Sequence, residues 1–165
     1  MKYYTGVGSR KTPWDDCNFM TEIANWLAER NWILRSGGAD GADKAFEKEL
    51  SADQKQIFYA NDATKEAMEI AAKFHPAWDH CSDYAKKLHG RNSFQVLGSN
   101  LKTPSKMLIC WTPDGCKSHK TRTRETGGTG TAISIADAYN IPIFNLANKE
   151  DYRRIYKKVF ENAPF

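Results

Sequence analysis

The chain has 165 residues, of which 41% are hydrophobic, 27% charged and 12% aromatic. That length predicts one domain, residues 1–165, whose core needs no disulfide or metal, and the balance excludes disordered and collagen-like chains. Lys and Arg total 24 against 20 Asp and Glu, a net charge of +4 that does not by itself imply nucleic acid. The longest apolar runs, such as Met107 to Trp111, fall far short of a membrane span, and Met1 to Pro13 has no apolar signal-peptide core. A soluble cytoplasmic protein without a membrane partner is therefore expected.

Strand and helix patterns alternate along the chain, which predicts an α/β fold: one Rossmann-like domain, its sheet mostly parallel and covered by helices on both faces. Lys2–Val7 reads as the first strand, followed by a helix with Thr12 as N-cap, Pro13 at its first position and Asp15 and Asp16 in its first turn. Phe19, Ile23, Trp26 and Leu27 recur at helical spacing as its buried stripe. Trp32–Ser36 is a second strand, 37–43 a turn into a helix ending near Leu50, and Lys55–Tyr59 a third strand. Ala63–Phe74 reads as helix, stopped by His75-Pro76, and Asp79–Leu97 as a longer one with an interruption at His89-Gly90. Ser105–Trp111 is a buried strand, Thr112–Thr126 has no periodicity, and 127–131 opens a helix running to about Tyr139. Ile141–Leu146 and Lys149–Phe160 close the chain as strand and helix.

Three strand-to-helix turns are rich in small residues: 6–10, 36–43 and 127–131. In a parallel sheet all three fall at the carboxyl edge of the strands, where ligands bind, and helix N-termini there offer free N–H groups to phosphate. The candidate ligand-binding residues are Gly8, Ser9, Arg10, Ser36, Gly37, Gly38, Asp40, Asp43, Gly127, Gly128, Thr129, Gly130 and Thr131. Arg91 and Asn92 join them as a phosphate clamp or, in the simpler reading, a solvent-facing pair. Asp40 and Asp43 are either caps and dipole partners or ribose ligands. Trp111, at a strand end, is the best of three aromatic candidates for base stacking, ahead of Trp78 and Tyr59, although such aromatics usually belong to the core. Neither a P-loop nor a G-x-G-x-x-G fingerprint is present, which argues against nucleotide hydrolysis of the usual kind and against a standard dinucleotide oxidoreductase. No cofactor is expected.

The unpatterned stretch 112–126 carries Lys117, Lys120, Arg122 and Arg124, a cluster expected to attract anions or to be a solvated loop. The four cysteines form no C-x-x-C pair and are expected to be reduced. His75, His80 and Cys81 lie close in sequence, but without a second ligand pair at a usual offset no metal is assigned.

Gly8-Ser9-Arg10, the 36–43 turn, Arg91-Asn92 and the 127–131 turn are similar, in order and spacing, to the SLOG superfamily, over about residues 1–146. The 36–43 stretch and Arg91-Asn92 resemble its DprA branch, and 127–131 resembles the signature of the LOG phosphoribohydrolases. The resemblance implies a Rossmann-like sheet that binds a nucleotide or nucleotide-derived ligand, for example of ADP-ribose type, and homo-oligomers are common in that group. Helix 13–30, rich in Trp, is a candidate for the apolar surface this would use. LOG enzymes use a glutamate where this chain has Ser134, which cannot serve as a carboxylate base. Binding without turnover, as a sensor or sequestering protein, is thus the first expectation. A nucleotide N-glycosidase, with Arg91 and Asp43 as catalytic candidates and Asp114 or Glu125 as substitutes for the glutamate, is the second. Weak binding of single-stranded nucleic acid is the third.

Overall fold

The computed structural model describes residues 1–162; the last three residues of the expected 1–165 domain lie outside it. Strands β1 (Lys2–Gly6), β2 (Trp32–Ser36), β3 (Lys55–Ile57), β4 (Leu108–Cys110) and β5 (Ile143–Asn145) pair in parallel in the order β3-β2-β1-β4-β5. The helices are α1 (Trp14–Ala28), α2 (Ala42–Glu47), α3 (Lys65–Ala72), α4 (Asp83–Leu97), α5 (Thr129–Ala138) and α6 (Lys149–Glu161). The protein is an α/β molecule with a Rossmann-like sheet. Its strand order reverses between β1 and β4, which leaves a crevice at their carboxyl ends.

Successive strand residues point to opposite faces, so each face needs its own helical cover. Ile109 joins Phe19, Ile23 and Leu27 of α1, Phe46 of α2 and Ile155 of α6 in one buried cluster. Its neighbours Leu108 and Cys110 join Val96 and Leu97 of α4 and Ile133 and Ile135 of α5 in the other. The apolar stripe of α1 is thereby spent on the sheet; Trp14 stays 77% exposed, and Arg30 stacks over the Trp26 ring at 3.8 Å. The third helix, α3, packs on α4 rather than on the sheet, with the Ser93 hydroxyl donating to Ala67 O at 2.8 Å.

Several expected boundaries move. The β4 and β5 strands are shorter than the apolar runs that contain them, because ladder pairing with their neighbours covers only the middle of each run. Pro13, not Thr12, is the N-cap of α1; the Thr12 hydroxyl instead donates to Ser9 O at 2.6 Å and closes the first glycine turn. Helix α4 starts at Asp83, after a short 3-10 turn at Trp78–His80, with Ser82 accepting from Ala85 N. It runs unbroken through His89-Gly90, and a side chain at Gly90 would meet Met68 Cγ of α3 at 2.6 Å. Glycine at that position serves helix packing and does not break the helix.

The 112–126 segment is ordered by its own polar side chains. The Asp114 carboxylate accepts from the hydroxyls of Thr112 at 2.8 Å, Thr123 at 2.6 Å and Thr126, and from Cys116 N at 3.3 Å. Burial pushes this carboxyl up, but those hydroxyl and N–H bonds outweigh it and hold its pKa below the ordinary value. The basic cluster is divided among different tasks. Lys117 pairs with buried Asp151 at 3.0 Å, and Arg122 donates to Phe74 O at 2.9 Å and to the Thr131 hydroxyl at 3.2 Å. Only Arg124 reaches the crevice, while Lys120 faces solvent.

Candidate functional site

A cavity of about 430 Å³ opens at the carboxyl edge over the β1/β4 reversal, inside the roughly 300–1,000 Å³ of small-molecule sites. All three glycine turns reach it: Gly8, Ser9, Arg10 and Lys11 from the first, Ala39 and Asp43 from the second, Gly127, Gly128 and Thr129 from the third. Helix α4 supplies the facing wall with His89, Arg91, Asn92 and Gln95. Arg10, Lys11, Arg91 and Arg124 line it against the two carboxyls of Asp43 and Glu125, so cations outnumber anions.

Of the residues expected from the sequence, Gly8, Ser9, Arg10, Asp43, Arg91, Asn92, Gly127, Gly128 and Thr129 thus border one cavity. The others stand behind it. Ser36 is fully buried, and a side chain at Gly37 would collide with Gln95 Nε2 at 2.5 Å and with Arg91 and Asp43 at 2.9 Å. The absent side chain of Gly37 lets three polar groups converge there. Gly38, at φ +71°, donates its N–H to Glu47 at 2.9 Å, a conformation that suits glycine. Asp40 is exposed and pairs with Lys44 at 2.9 Å; the N-cap of α2 is Gly41, so neither aspartate caps that helix. Gly130 packs on Arg122, and Thr131 is buried under Arg122 and His89. The Trp111 ring packs against the α1–α6 core, while its carbonyl accepts from Ser9 N at 3.1 Å. Trp78 and Tyr59 also lie outside the cavity lining.

The adjacent pair on α4 joins two of the turns. Arg91 donates to Gly37 O at 3.1 Å, and Asn92 donates to Gly128 O at 3.0 Å. Both are structural ties at the cavity edge, and the Arg91 Nε keeps no partner. Burial lowers the Arg91 pKa, and nearby Asp43 counters that in part. Asp43 is almost fully buried; burial raises its carboxyl to about 7, the Arg91 charge opposes this, and Glu47 adds to it. Near neutral pH this carboxyl can both give and take a proton.

Sequence reasoning missed Gln95. It is fully buried, borders the cavity, and neither its amide nitrogen nor its oxygen has a partner. A polar residue on the sheet-facing side of a helix was the available signal. Glu125 does border the cavity, whereas Asp114 is consumed by the threonine hydroxyls. Ser134, which the motif resemblance sets against the LOG glutamate as an expectation, is buried outside the cavity lining; it bonds His119 Nδ1 at 2.8 Å and meets Arg122 at 3.5 Å.

The third turn is built differently from the other two. Gly128, the N-cap of α5, has φ −61°, and a side chain there would meet nothing within 4 Å. No side chain caps this ten-residue helix. By contrast, α2 has only six residues, so the second turn presents no comparable helix end.

All four cysteines are unpaired. No helix among the described residues is long and apolar enough to cross a membrane. No family model matches the chain, and no curated protein or solved structure matches it.

Proposed function

We propose that the cavity binds a nucleotide or nucleotide-derived anion. Its phosphate lies against Gly127–Thr129 at the start of α5, with Arg10, Lys11 and Arg124 around it, and its sugar and base lie toward Asp43, Arg91 and Gln95. The observation that carries this reading is Gly128. Neither its backbone angles nor its packing requires glycine. Yet it borders a cationic cavity at an uncapped helix N-terminus, where a missing side chain leaves backbone N–H groups open to an anion. The unpartnered Gln95 amide and Arg91 Nε add hydrogen-bonding capacity that a polar ligand would meet. The motif resemblance to the SLOG superfamily points the same way.

Calorimetry with a panel of nucleoside monophosphates, cyclic nucleotides and NAD-derived nucleotides tests the reading. At least one is expected to bind the wild type and to lose at least tenfold in affinity, about 1.4 kcal/mol, in Gly128→Ala. Absence of binding by the whole panel at saturating concentration overturns it.

A second reading has its own support in Asp43 and Glu125, two carboxyls on one cavity, of which Asp43 titrates near 7. Such a pair suits acid-base cleavage of an N-glycosidic bond. Incubation with the same panel, followed by mass spectrometry, separates the two. A ligand recovered intact means binding alone. Free base, absent from Asp43→Asn reactions, means a glycosidase.

A further inference from the structure

We infer that His75, Cys81 and His89 form a binding site for a single divalent cation of the zinc class, at the junction of the α3–α4 connection and the cavity wall. One ligand atom from each lies within 4.8 Å of the other two. His75 Nε2 is 3.7 Å and Nδ1 3.9 Å from the Cys81 sulfur, and the two imidazole rings are 4.4 Å apart. In a tetrahedral zinc site the bond lengths place such atoms roughly 3.3–3.7 Å apart, so small side-chain movements complete the set. The donors are two imidazoles and one thiol, a combination that favours zinc over magnesium or calcium.

The surroundings orient these donors. The Thr131 hydroxyl meets His89 Nδ1 at 3.0 Å and leaves Nε2 for a metal, and Thr131 is itself bonded by Arg122. An outer bond of this kind fixes the ring of a metal-bound histidine. Trp78 packs edge-on to His75 and beside His89, with centroids 6.2 Å and 6.3 Å away, and walls one side. His75 Nδ1 accepts from Ala77 N at 3.0 Å, so ligation through Nε2 exchanges that bond for the metal bond and a proton on Nδ1. Metal binding takes the proton of the Cys81 thiol, which without a metal donates to Ala77 O at 3.6 Å, and leaves a thiolate on the cation. Three protein ligands leave one coordination position for water, and His89 also borders the cavity. The sequence offered His75, His80 and Cys81; folding replaces His80 with His89, one helical segment further on.

Cobalt(II) titration of the purified chain tests this without reference to any nucleotide. One cobalt per chain is expected, with a thiolate-to-cobalt charge-transfer band that zinc displaces. The band is lost in Cys81→Ser and falls at least tenfold in His75→Asn, while Cys17→Ser, at the other partly exposed cysteine, retains it. An unchanged urea midpoint in Cys81→Ser confirms that the loss is not unfolding. No band in the wild type, or a band that survives Cys81→Ser, overturns the site.

Discussion

Asp43 sits where a carboxylate is costly, buried beside Gly37 and Gln95 at the cavity wall, with a bond from Ala39 N at 3.4 Å and the Arg91 charge nearby. Its pKa of about 7 against an ordinary 3.8 fixes the sign of a pH effect. Well below pH 3.8 the group is protonated in folded and unfolded chains alike. As pH rises, the unfolded chain ionises first, so stability falls, and above about pH 7 the loss is complete at about 4 kcal/mol. His89 works in the opposite direction, because burial, with His75, Arg122 and Arg91, lowers its pKa to about 4. Comparing the wild type with Asp43→Asn removes that contribution. Urea midpoints from pH 4 to 8 should therefore fall more steeply in the wild type than in the variant, and equal slopes would place the titration elsewhere. The same protonatable carboxyl is available to the ligand proposed for the cavity.

At the scale of elements, α4 organises the edge. Its sheet side buries Val96 and Leu97, its outer side carries α3, and its middle reaches two glycine turns through Arg91 and Asn92. The bond from Asn92 to Gly128 O sets where the start of α5 lies relative to the cavity. Asn92→Ala removes it and is expected to cost about 1–2 kcal/mol of stability by denaturant unfolding. If the cavity binds a nucleotide as proposed, its affinity should fall as well, because the turn proposed to hold the phosphate is no longer pinned. The first and second turns are locked together differently. Gly41, at φ +84°, lies so close to Ser9 O that a side chain would approach it at 2.6 Å, so this contact depends on glycine. The two glycines therefore have opposite roles: Gly41 is required for the fold, and Gly128 is free of it.

For the whole molecule, the reversal of strand order between β1 and β4 places the cavity and gathers segments as far apart in sequence as Gly8 and Thr129. A ligand held by so many segments stabilises the folded chain as a unit. At a hundredfold excess over Kd the gain is about 2.7 kcal/mol, a rise in Tm of roughly 5–10 °C for a domain of this size. Thermal unfolding with the tightest ligand of the panel should show that rise in the wild type and, at the same ligand concentration, no more than about half of it in Gly128→Ala. The ligand-free Tm of that variant should match or slightly exceed the wild-type value, since Ala fits its backbone angles. A ligand-free Tm that drops by several degrees would make Gly128 a folding residue instead.

The order of elements, the parallel sheet and the meeting of three glycine turns at one edge follow from the sequence, because strand-helix alternation and small-residue turns are local signals with one common topology. Local signals also located nine of the residues that border the cavity. They could not tell a glycine that borders the cavity from one that admits a neighbour, as Gly37 and Gly130 do, or one that takes a left-handed backbone, as Gly38 does. They could not find Gln95 as a residue of the cavity, since its significance lies in what fails to surround it. Nor could they predict that the basic loop would spend Lys117 on Asp151 and Arg122 on Phe74 O and Thr131. Partners far apart along the chain are chosen by packing, and only the tertiary structure brings His89 to His75 and Cys81. Periodicity determined which residues form the frame, and three-dimensional juxtaposition decided which of them remain free to meet a ligand.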